Sequence, residues 1–131
     1  MRKKDLVGSY HDYVRIELAI ADDGDVRSVF VPPYDLTVKS IKAYPGTAAI
    51  SEAANQAVLT ARYGTVTMGS VTVGTVGAYS YAEVFSGNQE CLAGTPVYLG
   101  YGTVEDGLAL ELTLDIEYVE GTGRAAGTAM P

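Results

Sequence analysis

The segment from Gly107 to Val119 constrains this chain more than any other. Its even positions are Leu108, Leu110, Leu112, Leu114, Ile116 and Tyr118, and Ala109, Glu111, Thr113, Asp115 and Glu117 alternate with them. Successive side chains of a strand point to opposite faces, so the pattern makes one apolar face and one acidic face. A helix would wrap the carboxylates around the axis into the core. The segment therefore reads as a long strand lying across a core, with one face packed and the other wet.

The same alternation recurs near the other end of the chain. Over Tyr13 to Ile20, Val14, Ile16, Leu18 and Ile20 face one way, and Tyr13, Arg15 and Glu17 the other. Val26 to Val31 and Leu36 to Tyr44 are further strands, and Pro32-Pro33 stops the first of them. Ala57 to Tyr63, Tyr79 to Phe85 and Pro96 to Thr103 follow, with Ser86-Gly87-Asn88-Gln89 expected as a loop. Asp23-Gly24 and Asp106-Gly107 carry hairpin-turn signals. Only the Ala-rich stretch Thr47 to Gln56 suits a helix, of one or two turns.

Between Gly64 and Gly77 runs an imperfect five-residue repeat, Gly-Thr-Val-Thr-Met, Gly-Ser-Val-Thr-Val, Gly-Thr-Val-Gly. Five is odd, so equivalent residues would alternate faces along a flat strand, and the glycines read as bends or bulges. The stretch Tyr63 to Ala82 has no charge and no proline, and needs cover from the fold or from another subunit. Val66, Met68, Val71 and Val73 are the expected oligomer contact. Half of these twenty residues are Gly, Ser or Thr, which argues against a membrane span.

With 131 residues the chain fits one domain. The expectation is an all-β, single-domain antiparallel β-sandwich, jelly-roll-like, with an immunoglobulin-like sandwich as the alternative. Residues 1–9 read as a flexible basic arm, 10–119 as the sandwich domain and 120–131 as a flexible tail. The net charge of −7 speaks against nucleic acid and against anionic membranes.

Catalytic chemistry is hard to assemble from these residues. His11 and Cys91 are the single histidine and cysteine. His11 reads as a solvated side chain in the arm, and Cys91 as a small buried apolar residue. One cysteine allows no intrachain disulfide and suits a reducing cytosol. Glu17, Glu111, Asp115 and Glu117 fall on outward faces, where carboxylates are solvated, and a glycosidase would need a pair flanking a cleft. Asp22, Asp23 and Asp25 could ligate calcium, but the spacing favours a plain turn. The chain is thus read as non-enzymatic, with no catalytic, cofactor or metal residues.

Three stretches carry a family resemblance: Phe30-Val-Pro-Pro-Tyr-Asp-Leu-Thr-Val38, Leu92-Ala-Gly-Thr-Pro-Val-Tyr-Leu99 and the alternating last strand. Over residues 26–119 the order of elements resembles the small β-sandwich decoration proteins of tailed-bacteriophage heads, also called cement or head-fibre proteins. That resemblance implies a structural virion protein on the capsid exterior, assembled in the host cytoplasm. Its implied partners are the major capsid protein and further copies of itself, as a trimer. Arg2, Lys3 and Lys4 are the expected capsid-contact arm. The other function class in view is a carbohydrate-binding or receptor-binding module, with tyrosines as the sugar platform.

Overall fold

The computed structural model describes residues 9–46, 50–51, 54–77 and 79–122. Ten strands run through them: β1 (Tyr10–Leu18), β2 (Val26–Phe30), β3 (Leu36–Pro45), β4 (Ile50–Ser51), β5 (Gln56–Tyr63), β6 (Val66–Val73), β7 (Thr75–Val76), β8 (Ala82–Cys91), β9 (Val97–Val104) and β10 (Leu110–Glu120). One sheet has the order β1-β10-β3-β8 and the other β2-β9-β5-β6. The short β4 and β7 pair with each other. All pairings are antiparallel.

The nesting of the pairs defines the architecture. β5 pairs with β6, β3 with β8, β2 with β9 and β1 with β10. The chain is one long hairpin rolled into two layers, which is a jelly roll. Its tip is the two-residue loop Gly64-Thr65, where Tyr63 pairs with Val66 and Gly64 takes φ +58. Glycine suits that left-handed first position of a tight hairpin. Of the long strands only β5 and β6 are both adjacent in sequence and paired, and this sets the immunoglobulin-like alternative aside.

Two expected hairpin turns have another job. Asp22–Asp25 lies between β1 and β2, and Glu105–Gly107 between β9 and β10, yet each pair of strands is split between the two sheets. Both turns are corners that carry the chain across the sandwich. A short 3-10 turn at Ile20–Asp22 starts the first corner, so Ile20 is 48% exposed and does not continue β1 inward. At the second corner Glu105 and Gly107 both take positive φ. An Asp-Gly pair reports a tight reversal, whereas the strand's partner is decided by which apolar faces can be buried together.

The inward residues of β10 and β1 are those the alternation marks. Leu112, Leu114 and Ile116 are almost fully buried, as are Ile16 and Leu18 opposite Leu112 and Leu110. Burying each such side chain contributes about 1.5–3 kcal/mol. From the other sheet, Ala57, Leu59, Ala61, Val97, Leu99 and Tyr101 close the core.

The expected loop Ser86–Gln89 is part of β8. Opposite it, the β3–β8 register jumps from Val38–Gln89 to Ser40–Ser86. The β10–β3 register skips Lys39 at the same level. On β8 the buried set changes from Ala82 and Val84 to Cys91, and on β3 from Leu36 and Val38 to Ile41 and Ala43. A bulge inserts the extra residue that lets a strand change parity without leaving the sheet. In the sequence the broken alternation looks like a strand end.

The stretch expected as a short helix contains β4, a bend at Ala54 and Asn55 and the first residue of β5; residues 47–49 and 52–53 lie outside the described set. Glu120 completes β10, and Gly121 donates its N–H to the Asp35 carbonyl at 3.0 Å, so both belong to the folded body rather than to a tail.

Candidate functional site

The outer face of the β1–β10 pair carries the densest polar arrangement. His11 sits in β1, not in an arm, and its Nδ1 lies 2.6 Å from Oδ1 of Asp115. Tyr13 is the register partner of Asp115, and the Asp115 residue is 8% exposed despite its outward position. The solvated reading of Asp115 is therefore overturned, while His11 stays exposed but gains a carboxylate partner. The reason is long-range: 104 positions separate the pair, and only strand pairing brings them together.

Beside this pair, the Ser40 hydroxyl donates to Glu117 Oε1 at 3.1 Å. A hydrogen bond from Ser9 holds the Glu117 carboxyl below its ordinary value; partial burial opposes this, while Ser40 and the charges of His11 and Lys42 add to it. Further along, Arg15 bridges Glu17 and Glu111, which face each other across the strands. Lys42 lies 4.8 Å from the centre of the Tyr81 ring. The face is flat and ion-paired. The His11–Asp115 contact ties the edge strand β1 to β10.

At the Tyr10 end of the same strand a groove of about 440 Å³ opens between the edges of the two sheets. Asp12, Ser28, Phe30, Val31, Pro33 and Tyr118 line it. Tyr118 stacks on Tyr10 with ring centroids 5.6 Å apart and lies 5.3 Å from Phe30. Burial, then hydrogen bonding to Tyr118, pushes the Tyr34 hydroxyl up to about 12, so it remains protonated at neutral pH. Such a groove offers an aromatic wall with one carboxylate and one hydroxyl. The sequence shows these aromatics as strand residues and gives no sign that Phe30 and Tyr118 meet.

The positions singled out from the sequence fall in different places. Arg2, Lys3 and Lys4 lie outside the described residues. Val66 is 52% exposed beside the hairpin tip, Met68 and Val71 pack partly against the core, and Val73 is buried within it. Val73 thus drops out as an oligomer contact, because its side chain is already covered by its own fold. Asp22 and Asp25 pair with Arg27 at 3.0 and 3.7 Å, while Asp23 accepts from the Thr103 N–H at 3.1 Å. Asp22 and Asp25 thus share Arg27 while Asp23 turns to the backbone of β9, and no group of three or more His, Cys, Asp or Glu suited to a metal occurs among the described residues. Burial pushes the Cys91 thiol up to about 11, which keeps it in the unreactive protonated form.

Comparison with protein-family models, with curated proteins and with solved structures finds no match.

Proposed function

We propose that this is a structural protein that decorates the outside of a bacteriophage capsid and bridges neighbouring capsid subunits. The observation that supports the reading most is where the chain ends leave the body. Tyr10 pairs with Tyr118, so the first and last strands begin and finish side by side at one end of one sheet. The basic N-terminal segment with Arg2, Lys3 and Lys4 and the C-terminal segment thus attach at a single corner of a rigid block. A rigid block whose first and last strands finish at one corner suits docking onto a shell. Segments that order on binding add contact area, and several modest bridges become strong when engaged together.

The test is direct. Purified protein is mixed with undecorated capsids, and copies bound per shell are counted. The full chain should reach a saturable, symmetric occupancy. Removing residues 1–8, or raising the salt, should lower that occupancy if Arg2, Lys3 and Lys4 meet acidic groups on the shell. Absence of binding to any shell would reject the reading.

A second reading, a carbohydrate- or receptor-binding module, is favoured by the groove. Tyr118 and Phe30 supply an aromatic wall, and Asp12 and Ser28 supply hydrogen-bonding groups beside it. Saturable glycan binding that is lost on Tyr118→Ala, without shell binding, would select this module instead.

A further inference from the structure

We propose that β1 is a self-recognition edge: two copies of the chain join β1 to β1, antiparallel and centred on Val14, into one continuous sheet. The inference stands apart from the capsid reading and needs no capsid for its test.

Three observations carry it. The first is position. β1 is an outer strand of its sheet, bonded to β10 on one side, and no described residue pairs with its other side. It is nine residues long and contains no proline. Its stretch from His11 to Ile16 is an edge of the kind that templates another strand. At the far side of the sandwich the outer strands β6 and β8 pack on each other, so the sheet of β1 has no comparable second edge on offer.

The second observation is exposure. Tyr13, at the middle of the strand, is 64% exposed, and the Arg15 side chain is 61% exposed. Both point to the outer face, where they would meet residues from a strand laid alongside.

The third is charge register, which is the most selective. Side chains keep to matching faces only if paired positions add to an even sum. Centring on Val14 sets Tyr13 against the partner's Arg15 and His11 against the partner's Glu17, and the two-fold axis repeats both contacts. Asp12 then faces the partner's Ile16. Centring one residue earlier, on Tyr13, sets Tyr13 against the partner's Tyr13 and forms no Tyr13–Arg15 pair. Centring one residue later sets Arg15 against the partner's Arg15. Like charges directly opposite each other destabilise a pair of strands, as Arg15 against Arg15 would, whereas aromatic–guanidinium pairs such as Tyr13 on Arg15 stabilise it. The sequence of β1 is complementary to itself in one register.

The far end of the edge is already stopped. Arg27 donates to the Glu17 carbonyl at 2.9 Å, so backbone pairing ends before Glu17 and the contact with the partner's His11 is made by side chains. The resulting interface is isologous. It uses up the edge on both copies and therefore closes at a dimer instead of growing into a fibre. A dimer of this kind differs from the trimer that the resemblance to decoration proteins implies.

Sedimentation velocity across micromolar to millimolar concentrations reads the equilibrium. The wild type should pass from monomer to dimer. Tyr13→Lys faces the partner's Arg15 and should weaken the dimer about tenfold or more, with the monomer's melting temperature retained. As a geometric check, Tyr13→Cys and Arg15→Cys copies should cross-link efficiently when mixed under mild oxidant and poorly when either is alone; Cys91 is buried and silent. A wild type that stays monomeric throughout would overturn the proposal. So would a trimer unaffected by Tyr13→Lys, or cross-linking that does not need the mixture.

Discussion

The two long sides of the sandwich are built in opposite ways. On one side β6 and β8 press together so closely that a Cβ added to Gly69 would sit 2.4 Å from the Val84 carbonyl. Val84 is skipped by the β3–β8 register and Met68 by the β5–β6 register, so both strands bulge at this seam. Val73 and Val84 are buried there, and Met68, Val71 and Phe85 pack against the core. On the other side β1 and β2 stand apart. Their neighbourhood holds Tyr13, Ile20, Val26, Val31 and Tyr34, five of the nine large hydrophobics that are exposed among the described residues. The uncharged glycine-rich stretch, which needs cover, obtains it from its own fold only in part: Val73 and Val76 are buried and Met68 and Val71 pack against the core, while Val66, Tyr79 and Tyr81 stay exposed. The charged strand β1 looks safe in sequence, yet among the described residues no strand pairs with its outer edge. Edge protection is a property of the assembled sheets and not of composition alone.

Substituting both sides alike separates them most sharply. Val73→Lys places an unpaired charge in the core and should cost more than about 4 kcal/mol, enough to abolish the folding transition. Val26→Lys, at a position 52% exposed, should change stability by no more than about 0.5 kcal/mol. Similar melting temperatures for the two variants would erase the distinction between a closed and an open side.

A smaller effect tests the seam itself. Gly69→Ala must push the Val84 backbone aside, and overpacking of this kind costs about 1–3 kcal/mol in urea denaturation. A neutral result would mean that β6 and β8 are not held at the distance described. Conversely, a clear loss would show that the glycine is there for close approach as much as for bending.

At the open side, Tyr34 gives a pH signature. Its folded-state value, near 12, exceeds the ordinary 10.0. The neutral hydroxyl is thus favoured in the fold, so the contribution is complete below pH 10 and fades as pH rises towards 12. Tyr34 is 38% exposed, and solvent screening makes the effect modest. Tyr34→Phe should flatten the loss of melting temperature over that alkaline window. An unchanged alkaline limb would show that the Tyr34–Tyr118 bond adds nothing to the open corner.

The smallest effect concerns Glu117, whose carboxyl is held below its ordinary 4.5 by Ser9 and Ser40. A lowered folded-state value stabilises the protein above pH 4.5, and that part is lost as pH falls through the lowered value. Glu117→Gln should therefore lower the melting temperature slightly at neutral pH and leave it nearly unchanged in acid, where the wild-type carboxyl is itself protonated, so that a small part of the acid dependence disappears. If the acid limb is identical, the serine hydrogen bonds do not tether the start of β1.

What the sequence determined by itself is local and periodic. Alternation in β1, β3, β5, β9 and β10 specifies strands and their buried faces, because a period of two is set by backbone geometry alone. Pro32-Pro33 and the Asp-Gly pairs mark where strands stop. A corner and a hairpin share the same turn chemistry, so the two Asp-Gly turns could not announce that they cross between sheets. Nor could the Ser86–Gln89 interruption distinguish a bulge from a loop, since a bulge is defined by the neighbouring strand. The groove of Phe30 and Tyr118 and the clamp of His11 on Asp115 depend on residues about ninety or more positions apart. Their meeting depends on which strands become neighbours when the long hairpin rolls up. Burial of every apolar face at once decides that outcome, and no short stretch of sequence encodes it.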